Sequence, residues 1–139
     1  MSDEIKIRTQ VTIRKGNVDY RSNPTQTVED QTGEGGPAPG AFLVTTTGQN
    51  VDLSQFTTPG RVWIQNQDDT NYIEVGVHDG TLFHPFLEIL QGNIETVRFS
   101  RNIGEEQTIP GTGTTGNVNT IYVKAHGASC WVTFDAFEA

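Results

Sequence analysis

Hydrophobic and polar positions alternate with a period of two along most of this chain. Residues 61–99, RVWIQNQDDTNYIEVGVHDGTLFHPFLEILQGNIETVRF, hold four runs rich in Val, Ile, Phe, Tyr and Trp, separated by short Asp/Asn/Gly clusters. Strands favour β-branched and aromatic side chains, and Asn, Asp and Gly make the turns between them. The pattern predicts strands over 61–65, 72–78, 82–90 and 94–99. Asp79-Gly80 is the strongest hairpin signal, and Pro85, which has no N–H to donate, puts 82–90 at a sheet edge or a bulge. The same alternation predicts one long half-exposed strand over 4–14, with Ile5, Ile7, Val11 and Ile13 on one face and Lys6, Arg8 and Arg14 on the other. Further strands are expected at 41–46, 51–53, 121–125 and 130–137. No segment combines a 3.6-residue period with helix caps, so essentially no helix is expected.

The segments between strands are polar. QDDTN at 67–71 reads as a hairpin-like turn, and the hairpin as the repeating unit. From 17 to 40 only 26–28 offers a short strand; 29–40 and 100–119, rich in Gly, Pro and Thr, are expected to be mobile loops. Eight to ten strands in 139 residues suit a single all-β domain, a two-sheet antiparallel sandwich of jelly-roll-like type with long polar loops. Its expected core is Ile5, Ile7, Val11, Ile13, Phe42, Val44, Val62, Ile64, Ile73, Val75, Leu87, Ile89, Val97, Phe99, Ile121, Val123, Val132 and Phe134. Alternation then turns Trp63 and Trp131 outward, toward another chain or a further layer of this one.

Charge changes the picture more than bulk composition does. The net charge is −8, yet residues 1–21 carry five Lys/Arg against three acids while the rest carries four against fourteen. Such a body repels nucleic acid, and the basic N-terminal arm lacks the interleaved aromatics of a nucleic-acid footprint. The arm suits an acidic protein surface, or is simply a solvated strand face. The first residues are charged, so no secretory leader is expected; no apolar run reaches the roughly 20 residues of a spanning helix. One cysteine, Cys130, excludes an intrachain disulfide and reads as a buried small hydrophobe.

Reactive chemistry is sparse. His78 and His84 flank one hairpin and His126 stands apart, but none has the HExxH or paired-CxxC spacing of a zinc site. Asp68-Asp69 lacks the EF-hand pattern and is accounted for by side chains bonding their own turn. There is no GxSxG, no phosphate-binding GxxxxGK[ST], and no basic setting to activate Cys130. Paired acids could still converge in space, though no position is marked for it. The expectation is a non-enzymatic protein with no cofactor and no metal.

Three stretches together resemble a family of small virion structural proteins of tailed bacteriophages: PGRVWIQNQDDTNYIEVGVHDG, FHPFLEILQGNIETVRFSR and IYVKAHGASCWVTFDAFE. The shared landmarks are Gly60, Asn66, Asp69-Thr70-Asn71, Val75-Gly76, Pro85, Gly92, Val97-Arg98 and Tyr122-Val123-Lys124-Ala125. They cover about the C-terminal 80 residues. The chain departs from the pattern in the 20-residue insertion at 100–119 and the longer loop before Ala41. The resemblance implies a capsid decoration (cement) protein on the virion exterior, made in the host cytoplasm. Its partner would be the major capsid protein or another virion protein, and it would assemble as a homo-oligomer, a trimer first. Lys6, Arg8, Arg14 and Lys15 are the expected capsid contacts, and Trp63, Phe83 and Phe86 the expected subunit interface. Two alternatives are a tail or head–tail connector component and a carbohydrate-binding sandwich in which Trp63, Trp131 and Tyr72 stack on sugar.

Overall fold

The structure, a computed structural model, describes residues 5–30, 38–56, 58–100 and 120–138. The chain divides into two compact units, Met1–Glu34 and Gly35–Ala139. Every regular element among the described residues is a strand, as the period-two pattern requires.

The first unit is a two-stranded ribbon. Strands β1 (Ile5–Thr9) and β4 (Thr25–Glu29) pair antiparallel, as do β2 (Thr12–Lys15) and β3 (Val18–Arg21). Between these pairs, Gln10 and Val11 on the outgoing side oppose Ser22, Asn23 and Pro24 on the return, a bulge with one extra residue. Ser22 N–H donates to the Val11 carbonyl at 2.8 Å and Val11 N–H to Ser22 Oγ at 2.8 Å, so pairing continues through the irregularity. The expected single strand over 4–14 is therefore two strands, and the reputedly polar 17–28 supplies their partners. Its four apolar positions do not reach a core. Val11 and Ile13 are 47% and 49% exposed, and Ile5 and Ile7 are only half-buried, because two strands offer no second layer to close over either face.

The second unit is a sandwich of two four-stranded antiparallel sheets. In chain order its strands are β5 (Ala38–Val44), β6 (Gln49–Asn50), β7 (Pro59–Asn66), β8 (Ile73–His78), β9 (Phe83–Ile89), β10 (Ile94–Arg98), β11 (Thr120–Ala125) and β12 (Cys130–Glu138). One sheet has the order β10-β7-β12-β5 and the other β6-β11-β8-β9. Both contribute to one buried cluster. Val62, Ile64, Val132 and Phe134 come from the first sheet, and Ile73, Val75, Ile121 and Val123 from the second. Phe42, Leu87 and Val97 lie half-buried against it, and Phe134 touches Phe42 and Phe99 with ring centroids 6.4 and 6.2 Å apart. Cys130 is buried as expected, and the small residues Ala38, Ala125 and Ala136, which the sequence did not mark, fill the remainder.

The hairpin is not the repeating unit here. β8 and β9 are joined as a hairpin within one sheet, whereas each other connection of the sandwich carries the chain to the opposite sheet. Residues 67–71, expected as a hairpin turn, make such a crossing. The reason lies at Asn66, the buried end of β7. Its Nδ2 donates to the carbonyls of Asn71 at 2.8 Å and Ile89 at 3.2 Å, and its Oδ1 accepts from Asp68 N–H at 3.0 Å. One amide thus fastens the first sheet to the start of β8 and the end of β9. The expected strand at 51–53 is displaced to the two residues before it. Of the expected loop 29–40, residues 38–40 belong to β5. Residues 31–37 and 101–119 lie outside the described residues.

Pro85 sits as expected, on the edge strand β9 beside a register shift at Val75/Gly76. Gly76 faces the Pro85 backbone so closely that a Cβ would stand 2.6 Å from Pro85 Cα, so only glycine fits there. Replacing Asn66 by Ala leaves two buried carbonyls and one N–H unmet, and we expect it to lower unfolding free energy by about 3 kcal/mol in urea titrations. A loss under about 1 kcal/mol would contradict the fastening role.

Candidate binding surfaces

The described residues contain no group of three or more His, Cys, Asp or Glu poised for a metal. His84 lies opposite Val77 and His78 opposite Phe83, so successive register positions turn the two imidazoles to opposite faces. His84 Nε2 instead meets Asp79 Oδ2 at 2.9 Å, while Asp79 Oδ1 accepts from Leu82 N–H at 2.7 Å and Thr81 N–H at 2.8 Å. The Leu82 N–H first, then His84, hold the Asp79 carboxyl far below the usual carboxylate range. Asp68 is engaged in the same manner. Its Oδ1 takes the N–H groups of Asn71 at 2.5 Å and Thr70 at 2.8 Å, which lowers its pKa, so this carboxylate serves its own turn. Burial, followed by the nearby Asp68 charge, pushes the Cys130 thiol up, opposite to the shift a nucleophile needs.

What the structure does expose is surface. On the outer face of the β10-β7-β12-β5 sheet, pairing register sets four rows of side chains. Leu43 lies beside Trp131, then Ala41, Thr133, Gln65 and Ile94 form a row, then Pro39, Asp135, Trp63 and Thr96, then Arg61 beside Arg98. Trp131 is 56% exposed, Ile94 48% and Leu43 42%; Trp63 is half-buried. Asp135, between Pro39 and Trp63, has no hydrogen-bond or ion-pair partner among the described residues, and its partial burial raises its pKa.

The outer face of the other sheet carries more contacts among its own side chains. Tyr72 stacks on His126 with centroids 4.6 Å apart. His126 Nε2 lies 2.7 Å from Glu74 Oε1, an ion-pair distance off the direction of a hydrogen bond. By register Glu74 stands between Lys124 and Glu88. Tyr122 is flanked by His78 at 4.8 Å and Phe83 at 5.0 Å and donates its hydroxyl to Thr47 O at 2.9 Å. At the β9 edge an open groove of about 290 Å3 is lined by Glu74, Pro85, Phe86, Leu87 and Glu88. Phe86 is 58% exposed there.

The expected interface trio is thus split: Trp63 faces outward from one sheet, Phe83 and Phe86 belong to the other. The expected sugar platform is split likewise, with Tyr72 on the opposite sheet from Trp63 and Trp131. The four arm cations also divide. Lys6 and Arg8 share a face with Val28 and Gln26, and Arg14 with Thr12, Asp19 and Arg21. Lys15 lies on the apolar side of the ribbon, with Ile13, Val18 and Tyr20. Arg14 Nε sits 3.5 Å from Asp19 Oδ1, but both are over two-thirds exposed, so this pair is screened and weak. The sequence reading missed Asp135, Val18 and Tyr20. The alternation V-D-Y-R directly after the Gly16-Asn17 turn was the available signal for the last two.

Compared with protein-family models, curated proteins and solved structures, the chain matches none of them. The class the fold defines is an all-β sandwich carrying a two-stranded ribbon.

Because the folded pKa of Asp79 is depressed, its stabilisation is present above the ordinary carboxylate pKa of about 3.9 and lost as pH falls toward the folded value. We expect Asp79→Ala to lower the urea midpoint at pH 6, with the gap to the parent protein closing as pH drops below about 4. A gap that stays constant down to pH 2 would contradict this assignment.

Proposed function

We propose that this chain is a non-enzymatic virion structural protein of the capsid-decoration type, binding an assembled shell and stabilising it. The observation that carries the reading is the ribbon. It holds five Lys/Arg against Asp19 and Glu29 over residues 5–29, and its side chains are exposed or at most half-buried. In the sandwich, by contrast, Asp68 and Asp79 serve their own turns, and the described residues hold no group of three or more His, Cys, Asp or Glu poised for a metal.

A decoration protein acts by binding the assembled state and not its dissociated parts, which stabilises assembly by mass action. Lys6, Arg8 and Arg14 on a narrow ribbon suit an acidic, repeating protein surface, where complementary charge raises association rate and fixes register. Interfaces of this kind weaken with salt because the charges are exposed. The resemblance to tailed-phage virion proteins in turn residues and core positions from Gly60 to Ala125 points to the same role. The phage capsid exterior is the corresponding location.

The test is co-sedimentation with assembled empty shells of the cognate phage and with dissociated capsid protein. We expect binding to shells alone, falling with salt, and weakened about tenfold or more by Lys6→Glu with Arg8→Glu, about 1.4 kcal/mol per tenfold. Failure to bind shells, or equal binding by the charge-reversed chain, would refute the reading. A copy number of six or twelve per particle would move the protein to the tail or connector.

A further inference from the structure

The ribbon has a second face. Ile13 pairs with Tyr20 and Lys15 with Val18, so these four side chains project together, and Ile13, Val18 and Tyr20 are 49%, 57% and 53% exposed. Isolated two-stranded ribbons are marginal in water, and an apolar strip of this kind is stabilised by something that covers it. The strip is three apolar side chains with one ammonium at its tip. The outer face of the β10-β7-β12-β5 sheet has the opposite character. It presents Leu43, Trp131, Trp63 and Ile94 around Asp135, which has no ion-pair partner among the described residues; Arg61 and Arg98, in the next row of this face, have partners of their own.

We propose that the apolar face of the ribbon of one copy covers the outer face of this sheet on a second copy, with Lys15 meeting Asp135. Charge complementarity selects the occupant. The ribbon is net basic, whereas residues 35–139 hold four Lys/Arg against eleven acids, so two whole chains attract ribbon to body. An aromatic anchor in a desolvated setting beside a satisfied charge pair is the usual composition of an energetic interface centre. The partial burial that raises the Asp135 pKa becomes favourable once an ammonium is brought to it. The arrangement leaves Arg14, on the opposite face of the same strand pair, and Lys6 and Arg8, on the other strand pair, for a particle surface. It does not rest on the virion reading, since self-association and shell binding are separate measurements.

The experiment is sedimentation velocity on the full chain from about 1 to about 200 μM, a range in which an interface of ordinary strength dissociates on dilution. The parent protein should form oligomers at the upper end. Lys15→Glu, Asp135→Lys and Trp131→Ser should each weaken association about tenfold or more. An equimolar mixture of Lys15→Glu and Asp135→Lys chains should recover it, because each ribbon then meets a sheet of opposite sign on the other chain. A misfolded variant would not be rescued by mixing, and near-UV circular dichroism of the tryptophans checks each chain beforehand. A parent protein that stays monomeric throughout, including one whose ribbon folds onto its own body, overturns the proposal. So does association that none of the three substitutions weakens, or a mixture that stays dissociated.

Discussion

Two paired strands cannot bury their own side chains, and this constraint shapes the reading of the whole chain. A sheet needs a second layer before alternation can become a core. In residues 35–139 that layer exists, so Val62, Ile64, Val132 and Phe134 close against Ile73, Val75, Ile121 and Val123. In residues 5–29 the same alternation leaves Val11, Ile13, Val18, Tyr20 and Val28 between 46% and 57% exposed. On the reading proposed above, this apolar surface on a basic element is completed by contact.

The sandwich supplies a stiff body for that contact. Its chain passes between sheets at most connections, which prevents either sheet from peeling away as a separate meander. Asn66 shows how one such crossing is held, because from the end of β7 its buried amide satisfies groups of the connecting segment and of β9 in the opposite sheet. Buried polar groups of this sort stabilise only when fully partnered, and here each hydrogen-bonding arm has a partner. The turn carboxylates Asp68 and Asp79 work locally in the same way, each accepting two backbone N–H groups. Acidic residues that a first inspection could assign to a metal are therefore occupied with shape.

Much of the fold was legible in the sequence, and the misses share a physical cause. β7 and β12 alternate so strictly that inward and outward residues could be assigned one by one, and Trp131 faces outward as alternation requires. Pro85 announced an edge and Asp79-Gly80 a hairpin, because a missing N–H and a required positive φ act locally; Gly80 has φ +96°. Alternation says which residues share a face but not what covers that face, so Ile5, Ile7, Val11 and Ile13 looked like core. Turn residues likewise do not say whether the next strand stays in the sheet, so 67–71 passed for a hairpin. The two carbonyls to which Asn66 donates lie five and 23 residues away, and the second is beyond any local pattern. For the surfaces, each cation and tryptophan could be named from the sequence, but not that Trp63 and Phe83 face away from each other across a core.

The central claim is that the ribbon is completed by contact. Hydrogen exchange of the amides of residues 5–29, followed by mass spectrometry across a dilution series, tests it most directly. The account predicts near-complete exchange in dilute monomer and protection that grows with concentration, while β7 and β12 remain protected throughout. Ribbon amides equally protected at every dilution would contradict it.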